Sequence, residues 1–326
     1  MQFGHRIVHG GTGFTSSVIV TDEVMEEYNN AIEYAPLHNP AHLQGINACK
    51  KAMPNVKQVL VFDTAFHTTI PEEASTYAIP YEYYEKYGIK RYGAHGTSHK
   101  FVTEEVARQL EKNKQKLNII SCHLGNGSSI AAVREGKCID TSMGLTPLEG
   151  LIMGTRSGDL DPAILGFVMK KENIDINEMT NILNKKSGMY GISGVSGDMR
   201  DLKELKNQGN KRAALAIDMF AYRVRKYIGS YMAVLGHVDV ITFEGGIGEY
   251  NPEVIQQILS GLEEYGIVLN KEKLNKENYK GIISADDSKI KVMVIKTNEE
   301  LQIAEETKDL LVWIEKIVGA VQCAAL

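Results

Sequence analysis

The sequence has few cysteines, no long apolar run and no excess of basic residues. Its four cysteines, Cys49, Cys122, Cys138 and Cys323, are scattered and form no CxxC pair. This spacing argues against a disulfide framework or a zinc site, so reduced thiols of a cytoplasmic protein are the simplest interpretation. No stretch of eighteen consecutive apolar residues occurs, and the N-terminal residues form no signal-peptide core. We therefore expect neither a membrane span nor a secretion signal.

The balance of charge is slightly acidic. Lys and Arg number 36 against 41 Asp and Glu, which gives a formal net charge of −5. Broad binding to nucleic acid or to an anionic membrane requires a net basic surface, so we expect neither partner. Any site that binds an anion must therefore be formed by a local group of residues rather than by a basic surface. At 326 residues the chain is long enough for two core-forming units, and two domains are expected.

Short apolar runs alternate with segments of helical periodicity, which predicts an α/β fold. Strands are predicted at Arg6–Val8, Val56–Phe62, Leu117–Ser121, Val238–Phe243 and Lys291–Ile295, and helices at Val102–Glu111, Lys211–Leu235 and Pro252–Glu264. Ligands gather where the strands of such folds end, because the loops there present polar groups on a rigid sheet. The candidate functional residues are therefore sought at strand ends.

Two strand ends carry isolated charges. Arg6 lies in GHRIVHGG, and Asp63 ends the apolar run of VLVFDTAFH. Arg6 is either an ordinary surface cation or a guanidinium fork for a carboxylate or phosphate. Asp63 is either a turn-forming residue or a catalytic carboxylate.

Two histidines four residues apart, His95 and His99, surround a small-residue turn in YGAHGTSH. No third ligand stands at a convincing metal-binding distance in sequence, so imidazole donors to an oxyanion are the preferred interpretation.

Three glycine-rich segments follow predicted strands or precede helices. HLGNGSS, from His123, allows backbone N–H groups to approach a phosphate, but a β-hairpin turn at Asn126 is an equal alternative. MGTRSGDLDP places Arg156 close in sequence to two carboxylates, those of Asp159 and Asp161. The third segment, EGGIGE, follows the predicted strand that ends near Phe243. Two arginines, several imidazoles and glycine-rich strand ends together favour phosphoryl transfer, which needs positioning and charge neutralisation more than covalent catalysis.

In nine ordered motifs the sequence closely resembles the acetate kinases, within the acetate and sugar kinase/Hsp70/actin superfamily. These motifs are GHRIVHGG, LHNPAHLQGI, FDTAFH, HGTSH, HLGNGSS, the run from Asp140 through MGTRSGDLDPA, GVSGDMRDL, GGIGE and TNEE. The resemblance spans roughly Phe3 to Leu311. It implies transfer of the ATP γ-phosphoryl group to acetate, with propionate kinase or a non-catalytic nucleotide-binding remnant as alternatives.

The resemblance also implies two actin-like domains with the active site in the cleft between them. Residues 1–65 and 301–326 would form the first domain and residues 66–300 the second, which would carry the nucleotide site and the interface of a homodimer.

The family's functional residues match the sequence position by position. Asp63, His95 and Arg156 resemble the catalytic residues, and Arg6 resembles the second arginine that grips the substrate. Acetate is already ionised near neutral pH, so alignment is a more plausible task for Asp63 than proton transfer. The acyl pocket would be formed by Val8, Leu37 and Pro147. Glu299 resembles the carboxylate associated with Mg²⁺, for which Mn²⁺ is an alternative.

The nucleotide, ATP or ADP, would lie between two sets of residues. The residues that resemble the family's phosphate-binding residues are His123, Leu124, Gly125, Asn126 and Gly127. The residues that resemble its adenosine-binding residues are Asp198, Met199, Arg200, Gly246, Ile247, Gly248, Glu249 and Tyr250.

The sequence departs from the family in four places. The family's N-terminal strand and loop, which contact phosphate and magnesium, have no counterpart, so we expect a truncated gene model or a late start codon and little activity from the chain as written. Ala94 replaces an aromatic residue of the acyl pocket, which predicts a wider pocket unless Tyr92 fills the space. Tyr250 stands where asparagine is usual. The apolar tail Trp313–Leu326 has no match and either extends the last helix or reflects a frameshift.

Overall fold

The computed structural model describes residues 2–36, 38–275 and 279–324, and within them the chain folds into two sheets flanked by helices. The strands are β1 (Phe3–Ile7), β2 (Val18–Ile19), β3 (Gln58–Phe62), β4 (Asn118–Leu124), β5 (Ser128–Arg134), β6 (Lys137–Thr141), β7 (Val240–Glu244), β8 (Gly281–Ile282) and β9 (Lys291–Val294).

Fourteen α-helices are formed by the described residues. They are α1 (Asp22–Asn30), α2 (Asn39–Ala52), α3 (Glu72–Ser75), α4 (Glu82–Tyr87), α5 (Gly96–Gln109), α6 (Ala163–Glu172), α7 (Ile176–Lys185), α8 (Gly188–Ser193), α9 (Met199–Asn207), α10 (Lys211–Leu235), α11 (Gly245–Tyr250), α12 (Pro252–Leu259), α13 (Lys271–Leu274) and α14 (Glu299–Ala324). The predicted α/β class is confirmed.

The smaller sheet has the order β1-β3-β2, with β1 parallel and β2 antiparallel to β3. Every residue of β3 is buried because both faces of the strand are covered. On one face Leu60 and Phe62 pack with Tyr28 of α1. On the other face Val59 and Val61 pack against Leu311 of α14. Covering both faces explains why β3 is almost continuously apolar.

The larger sheet has the order β6-β5-β4-β7-β9-β8. Its centre is parallel, since β4 pairs with β7 and β7 with β9 in the same direction, and β5 and β6 add antiparallel strands at one side. The long helix α10 buries Phe220, Val224 and Ile228 against this sheet. β4 and β7 therefore end side by side at one edge, and their following loops meet there.

Several predicted boundaries are confirmed and others are wrong. The prediction of α10 is correct at both ends, as expected for a long periodic segment with an Asn210 cap. Helix α5 begins at Gly96 rather than Val102, so the predicted turn around His99 is helical. Helix α12 ends at Leu259 rather than Glu264, shortly before Gly261 at a φ of +85°. The GGIGE segment is itself a short helix, α11.

The last helix, α14, continues to Ala324, so between Trp313 and Ala324 the unmatched tail extends this helix. The rest of that tail, and Leu37 of the predicted acyl pocket, lie outside the described residues. No helix in the described ranges is both long and apolar enough to cross a bilayer.

Candidate active site

Arg6 and Asp63 lie side by side because the parallel strands β1 and β3 end at the same edge. The guanidinium group of Arg6 donates two hydrogen bonds to the carboxylate, Nε to Oδ1 at 3.1 Å and Nη2 to Oδ2 at 2.7 Å. Burial acts to lower the pKa of Arg6, but the charge and hydrogen bonds of Asp63 together with the charge of Glu299 outweigh it, and the pKa is raised. The pair is therefore a fixed, bidentate ion pair at the base of the site.

Two further contacts hold the Asp63 segment against the start of α5. The Thr97 hydroxyl donates to Asp63 Oδ1 at 2.9 Å, and the Gly96 amide donates to the Asp63 carbonyl at 3.0 Å. A methyl group on Gly96 would lie 2.0 Å from that carbonyl oxygen, so only glycine permits this approach. The Asp63 carboxylate is 1% exposed, and its three hydrogen bonds fix its orientation.

His95 precedes α5 in the left-handed conformation, at a φ of 56°. Its ring stacks on that of His123, with 4.3 Å between the ring centroids. Burial lowers the pKa of both histidines, that of His123 to about 4, and the charges of nearby cationic groups add to the effect. Both imidazoles are therefore neutral at physiological pH, and each can donate only one hydrogen bond.

His123 is held from behind by α5. Its Nδ1 lies 2.8 Å from Ser98 Oγ, which in turn lies 2.9 Å from the Thr297 hydroxyl. These contacts connect β4, α5 and the segment before α14, so the orientation of His123 depends on three separate parts of the chain.

Arg156 approaches the same space from the opposite side. Its Nη1 donates to the Pro147 carbonyl at 3.1 Å and lies 3.6 Å from the Met153 sulfur. It forms no ion pair with any residue that the structure describes, and burial lowers its pKa. A methyl group built on Gly127 would lie 3.4 Å from His95 Nε2 and 3.6 Å from Arg156 Nη1. An uncompensated cation and a neutral imidazole thus face one small space above Gly127.

The loop that contains Gly127 is a β-hairpin, as one of the two interpretations predicted. Strands β4 and β5 pair up to Leu124 and Ser128, leaving three residues for the turn. The Gly154 amide donates to the Asn126 carbonyl at 3.0 Å, and a methyl group on Gly154 would clash with the Asn126 side chain. The hairpin is therefore docked against the segment that carries Arg156.

A cavity of about 570 Å³ opens beside this hairpin. It is lined by Gly125, Asn126, Gly197, Asp198, Met199, Arg200, Lys203, Gly246, Ile247, Tyr250 and Asn251. It brings together eight residues assigned to the nucleotide from three separate segments. Asp198 caps α9 and forms an ion pair with Arg200 at 2.7 Å, and the ring of Tyr250 lies under Lys280 Nζ, 4.4 Å from its centroid.

Five other predicted nucleotide residues do not line this cavity. On the phosphate side these are His123, Leu124 and Gly127, and on the adenosine side they are Gly248 and Glu249. Gly248 is buried in α11 near Phe243. Glu249 is 5% exposed, and its carboxylate accepts from the Thr297 amide at 3.3 Å and lies 3.5 Å from Lys280 Nζ. These contacts give Glu249 a structural task in holding α11 to the segment before α14.

Glu299, the first residue of α14, lies next to the Arg6–Asp63 pair. Its Oε2 is 3.6 Å from Arg6 Nε, a distance too long for a hydrogen bond. Burial raises the pKa of Glu299 and the Asp63 charge adds to this shift, while the Arg6 charge opposes it. The Arg6 fork donates its hydrogen bonds to Asp63, so Arg6 compensates the charge of the Glu299 carboxylate only in part. The remaining negative charge suits a hard cation.

Of the predicted acyl pocket, Val8 is 8% exposed at the end of β1, and Pro147 lines a cavity of about 470 Å³ together with Arg156. His38, which was not predicted, lines the same cavity. Burial lowers its pKa, and the positive charges of Arg156 and Arg6 add to that effect. Its only sequence signal was its place in LHNPAH, where a histidine has no distinguishing pattern.

Ala94 is buried among methionines rather than beside a tyrosine. It is 3% exposed and packs with Met143 and Met153. Tyr92 instead makes a tilted ring contact with His9 and an edge-to-face contact with Tyr34. Tyr92 therefore does not fill the space left by the smaller side chain, and flexible methionines occupy the surroundings of Ala94.

Comparison with known proteins agrees with this geometry. The sequence pattern of the Acetokinase family matches residues 1–305. The chain is 59% identical over 309 residues to the acetate kinase of Thermoanaerobacterium thermosaccharolyticum, covering 94% of this chain and 77% of that protein.

Two solved structures resemble the fold closely. The acetate kinase of Porphyromonas gingivalis matches with a TM-score of 0.92 and 45% identity, covering 95% of this chain and 78% of that one. The propionate kinase of Francisella tularensis matches with a TM-score of 0.90 and 47% identity, covering 94% of this chain and 78% of that one. These likenesses confirm the expected two-domain actin-like architecture. The chain belongs to the acetokinase family.

Proposed function

We propose that the chain is an acetate kinase, which reversibly transfers the γ-phosphoryl group of ATP to acetate to give acetyl phosphate and ADP. The observation that carries this proposal is the pair of opposed groups above Gly127, where unpaired Arg156 and neutral His95 face one space. A phosphoryl group in transfer carries charge on its peripheral oxygens, and a cation with an imidazole donor would stabilise it.

Arg6 and Arg156 have different electrostatic roles in this proposal. Arg6 is held by Asp63 and presents a fixed positive edge, so its task is to orient the acetate carboxylate. Arg156 has no acidic partner in the described chain and can take up the charge of the migrating group. Asp63, with its three hydrogen bonds, aligns Arg6 and needs no proton transfer, since acetate is ionised at neutral pH. Nucleotide phosphates would lie along Gly125 and Asn126, with adenosine in the adjacent cavity.

A divalent cation fits beside Glu299. Mg²⁺ prefers oxygen ligands and is commonly held by one or two carboxylates together with substrate phosphates and water. The Glu299 carboxylate, which Arg6 compensates only in part, meets that requirement. Mg²⁺ is proposed over Mn²⁺ as the physiological ion. When bound with the nucleotide, the ion would neutralise phosphate charge.

The test of the proposed function is an assay for acetyl phosphate trapped as its hydroxamate. The chain spans 77% of the length of the Thermoanaerobacterium relative. The assay is run on the 326-residue chain and on an N-terminally extended chain. Hydroxamate that depends on both ATP and acetate is expected from an intact site. ATP-binding without hydroxamate in both chains would instead support a nucleotide-binding remnant.

Ala94 provides a test of acetate against propionate. Introducing the larger Ala94→Phe side chain is expected to lower the propionate-to-acetate ratio of kcat/KM by about tenfold, because one methylene in an apolar pocket is worth roughly 1–3 kcal/mol. Met153 links Ala94 to Arg156, so the position borders the reacting groups. The ratio is measured by steady-state kinetics with both acids.

Overpacking at Ala94 is controlled by Ala94→Leu and by thermal unfolding of both variants, since added volume in a core commonly costs 1–3 kcal/mol. If folded Ala94→Phe keeps the parent's ratio, position 94 does not set substrate size.

We propose that residues 1–65 and 301–326 form one domain, residues 66–300 the other, and that the second forms a homodimer. In support of the division, the smaller sheet packs against α14. In support of the dimer, α6 is apolar yet has no buried residue, and its Ile164 and Phe167 are 44% and 66% exposed. Exposed apolar patches of this kind mark interfaces. The free thiols of the described cysteines are compatible with the cytoplasm as the proposed location.

The dimer is tested with Phe167→Glu. Burying this charge in an apolar interface is unfavourable, so sedimentation at micromolar concentration is expected to show a monomer where the parent is a dimer. The matched control is Tyr265→Glu, because Tyr265 is 64% exposed. A dimeric Phe167→Glu variant, or a monomeric parent, would contradict the proposed interface.

A further inference from the structure

A chain of hydrogen bonds runs from His95 into the protein interior. His95 Nδ1 lies 2.9 Å from Ser129 Oγ, and this hydroxyl lies 2.8 Å from His99 Nε2. On the other side of the imidazole ring, His99 Nδ1 lies 2.8 Å from Ser121 Oγ. Ser121 Oγ lies 2.5 Å from Glu244 Oε1. These five residues, here called the His95–Glu244 chain, connect the reacting space to a carboxyl group at the end of β7.

Glu244 is placed where a negative charge is costly. It is 0% exposed, and its Oε2 has no hydrogen-bond partner in the described part of the molecule. Burial raises the pKa of Glu244 to about 7, although the hydrogen bond from Ser121 and the nearby Thr242 hydroxyl oppose the shift. The titratable groups that face Glu244 are His99 on α5, Glu249 on α11 and Cys122 on β4.

None of these neighbours supplies a compensating positive charge. His99 lies 3.8 Å from Glu244 Oε1, but its pKa is lowered well below the ordinary value, first by burial. It is therefore a neutral imidazole near pH 7. Glu249 is acidic and opposes ionisation of Glu244, and burial raises the pKa of the Cys122 thiol. The neutral carboxyl is the form that this environment stabilises.

The protonation state of Glu244 determines the direction of every hydrogen bond in the chain. Each bridging serine donates one hydrogen bond and accepts the other, and each neutral imidazole carries one N–H. The neutral carboxyl carries its proton on Oε1, the oxygen that has a hydrogen-bond partner, and donates it to Ser121, which donates to His99 Nδ1. His99 Nε2–H then donates to Ser129, and Ser129 donates to His95 Nδ1, so the His95 proton is on Nε2.

The ionised carboxyl reverses this order. It accepts from Ser121, each following hydrogen bond changes direction, and the single N–H of His95 is on Nδ1. His95 Nε2 is then a bare acceptor facing the reacting space. The two arrangements differ by one proton, which is released to solvent, and no covalent bond between heavy atoms changes.

We propose that neutral Glu244 is a positioning residue: through the His95–Glu244 chain it keeps the proton of His95 on Nε2, where it donates to the transferred phosphoryl group. The donation from His95 to a phosphoryl group rests on the proposed function. The geometry at the reacting end supports it, because His95 Nε2 and Arg156 Nη1 face the same point above Gly127. A bare Nε2 would instead direct a lone pair at phosphoryl oxygens and repel them.

The first experiment measures kcat against pH for the parent and for Glu244→Gln in the active form of the chain. The glutamine amide cannot ionise. Its NH2 group is expected to face Ser121, because an unpaired buried N–H is more costly than an unpaired carbonyl. The parent kcat is expected to fall about tenfold per pH unit above the pKa of about 7, whereas Glu244→Gln keeps the low-pH kcat without this decline.

Glu105→Gln is the matched control, since it makes the same substitution at a partly buried carboxylate of α5 that pairs with Arg108 and does not belong to the His95–Glu244 chain. It is expected to reproduce the parent's profile. Identical declines in the parent and Glu244→Gln, or a parent kcat that stays level to pH 9, would overturn the proposal.

The second experiment needs no substrate and no variant at Glu244. Nitrogen-15 NMR of histidine-labelled parent protein identifies which ring nitrogen of His95 is protonated, with assignment from His95→Gln. The proton is expected on Nε2 at about pH 6 and on Nδ1 at about pH 8.5, either side of the pKa of about 7. Ser129→Ala, which interrupts the chain, is expected to remove this dependence on pH.

The two readouts separate the possible failures. The positioning proposal is overturned, whatever the activity, if the His95 proton stays on Nε2 at both pH values. It is also overturned if the position of this proton depends on pH in Ser129→Ala as it does in the parent. A tautomer change without any hydroxamate formation by either chain length supports the hydrogen-bond chain and contradicts the proposed kinase function.

Discussion

Replacing Arg156 by Ala is expected to reduce kcat by on the order of 10³-fold or more while leaving the fold intact. Arg156 has no ion-pair partner among the described residues and touches only the Pro147 carbonyl and the Met153 sulfur. Its removal therefore takes away a cation from the transferred phosphoryl group without leaving a buried carboxylate unpaired. The measurement is the initial rate of hydroxamate formation at saturating substrates, with thermal unfolding recorded in parallel.

The matched control is Arg225→Ala. Arg225 also donates to backbone carbonyls, including that of Ile258 at 2.8 Å, but it lies on α10 away from the site. It is expected to lose stability without a comparable loss of kcat. Arg156→Lys should recover only part of the activity, because an ammonium group keeps the charge and loses the planar fork. A kcat for Arg156→Ala within a few-fold of the parent would remove Arg156 from the proposed mechanism.

The strand ends that carry charge could be predicted from the sequence because a strand and its terminal polar residue are adjacent in the chain. Arg6 and Asp63 were both found in this way, and parallel pairing of β1 with β3 places them in contact. The contact itself could not be predicted from local pattern alone. It depends on the register of two distant strands, which tertiary packing decides.

Helix boundaries were predicted well only where local preference and tertiary structure agree. Helix α10 is long, periodic and capped by Asn210, and its bounds match the prediction. Helix α5 begins with Gly96, Thr97 and Ser98, which are poor helix formers. Tertiary contacts with Asp63 compensate for that weak preference. Helix propensity alone therefore did not predict the first turn of α5, which carries the hydrogen-bond donors to Asp63 and the hydroxyl that contacts His123.

The His95–Glu244 chain shows a second limit. His99 was recognised as part of a histidine pair, but its two serine partners lie on β4 and β5 and its terminal carboxyl on β7. Glu244 follows an apolar run, as Asp63 does, but this pattern does not show that the carboxyl group of Glu244 is buried. Its burial, which makes ionisation costly, follows from the central position of β7 in the larger sheet.

Glu299→Ala is expected to weaken the productive use of Mg·ATP by roughly 10–100-fold, with partial recovery at high Mg²⁺, because the proposed contribution of this carboxylate passes through the metal. Removing Glu299 leaves the bidentate pair of Arg6 and Asp63 unchanged. The Asn298 side chain still accepts from the Leu301 amide at 3.0 Å, so the start of α14 keeps its cap. The measurement is kcat/KM for ATP across a magnesium titration.

Glu300→Ala is the control for Glu299→Ala. Both residues are acids in the first turn of α14, so each substitution removes the same favourable interaction with the helix dipole. Glu300 is exposed, whereas Glu299 is half-buried next to Arg6. A shift in magnesium dependence in Glu299→Ala alone therefore reports the metal rather than helix stability. If Glu299→Ala and the parent show the same dependence while Glu300→Ala is shifted, Glu300 is the metal-associated carboxylate and the assignment to Glu299 is wrong.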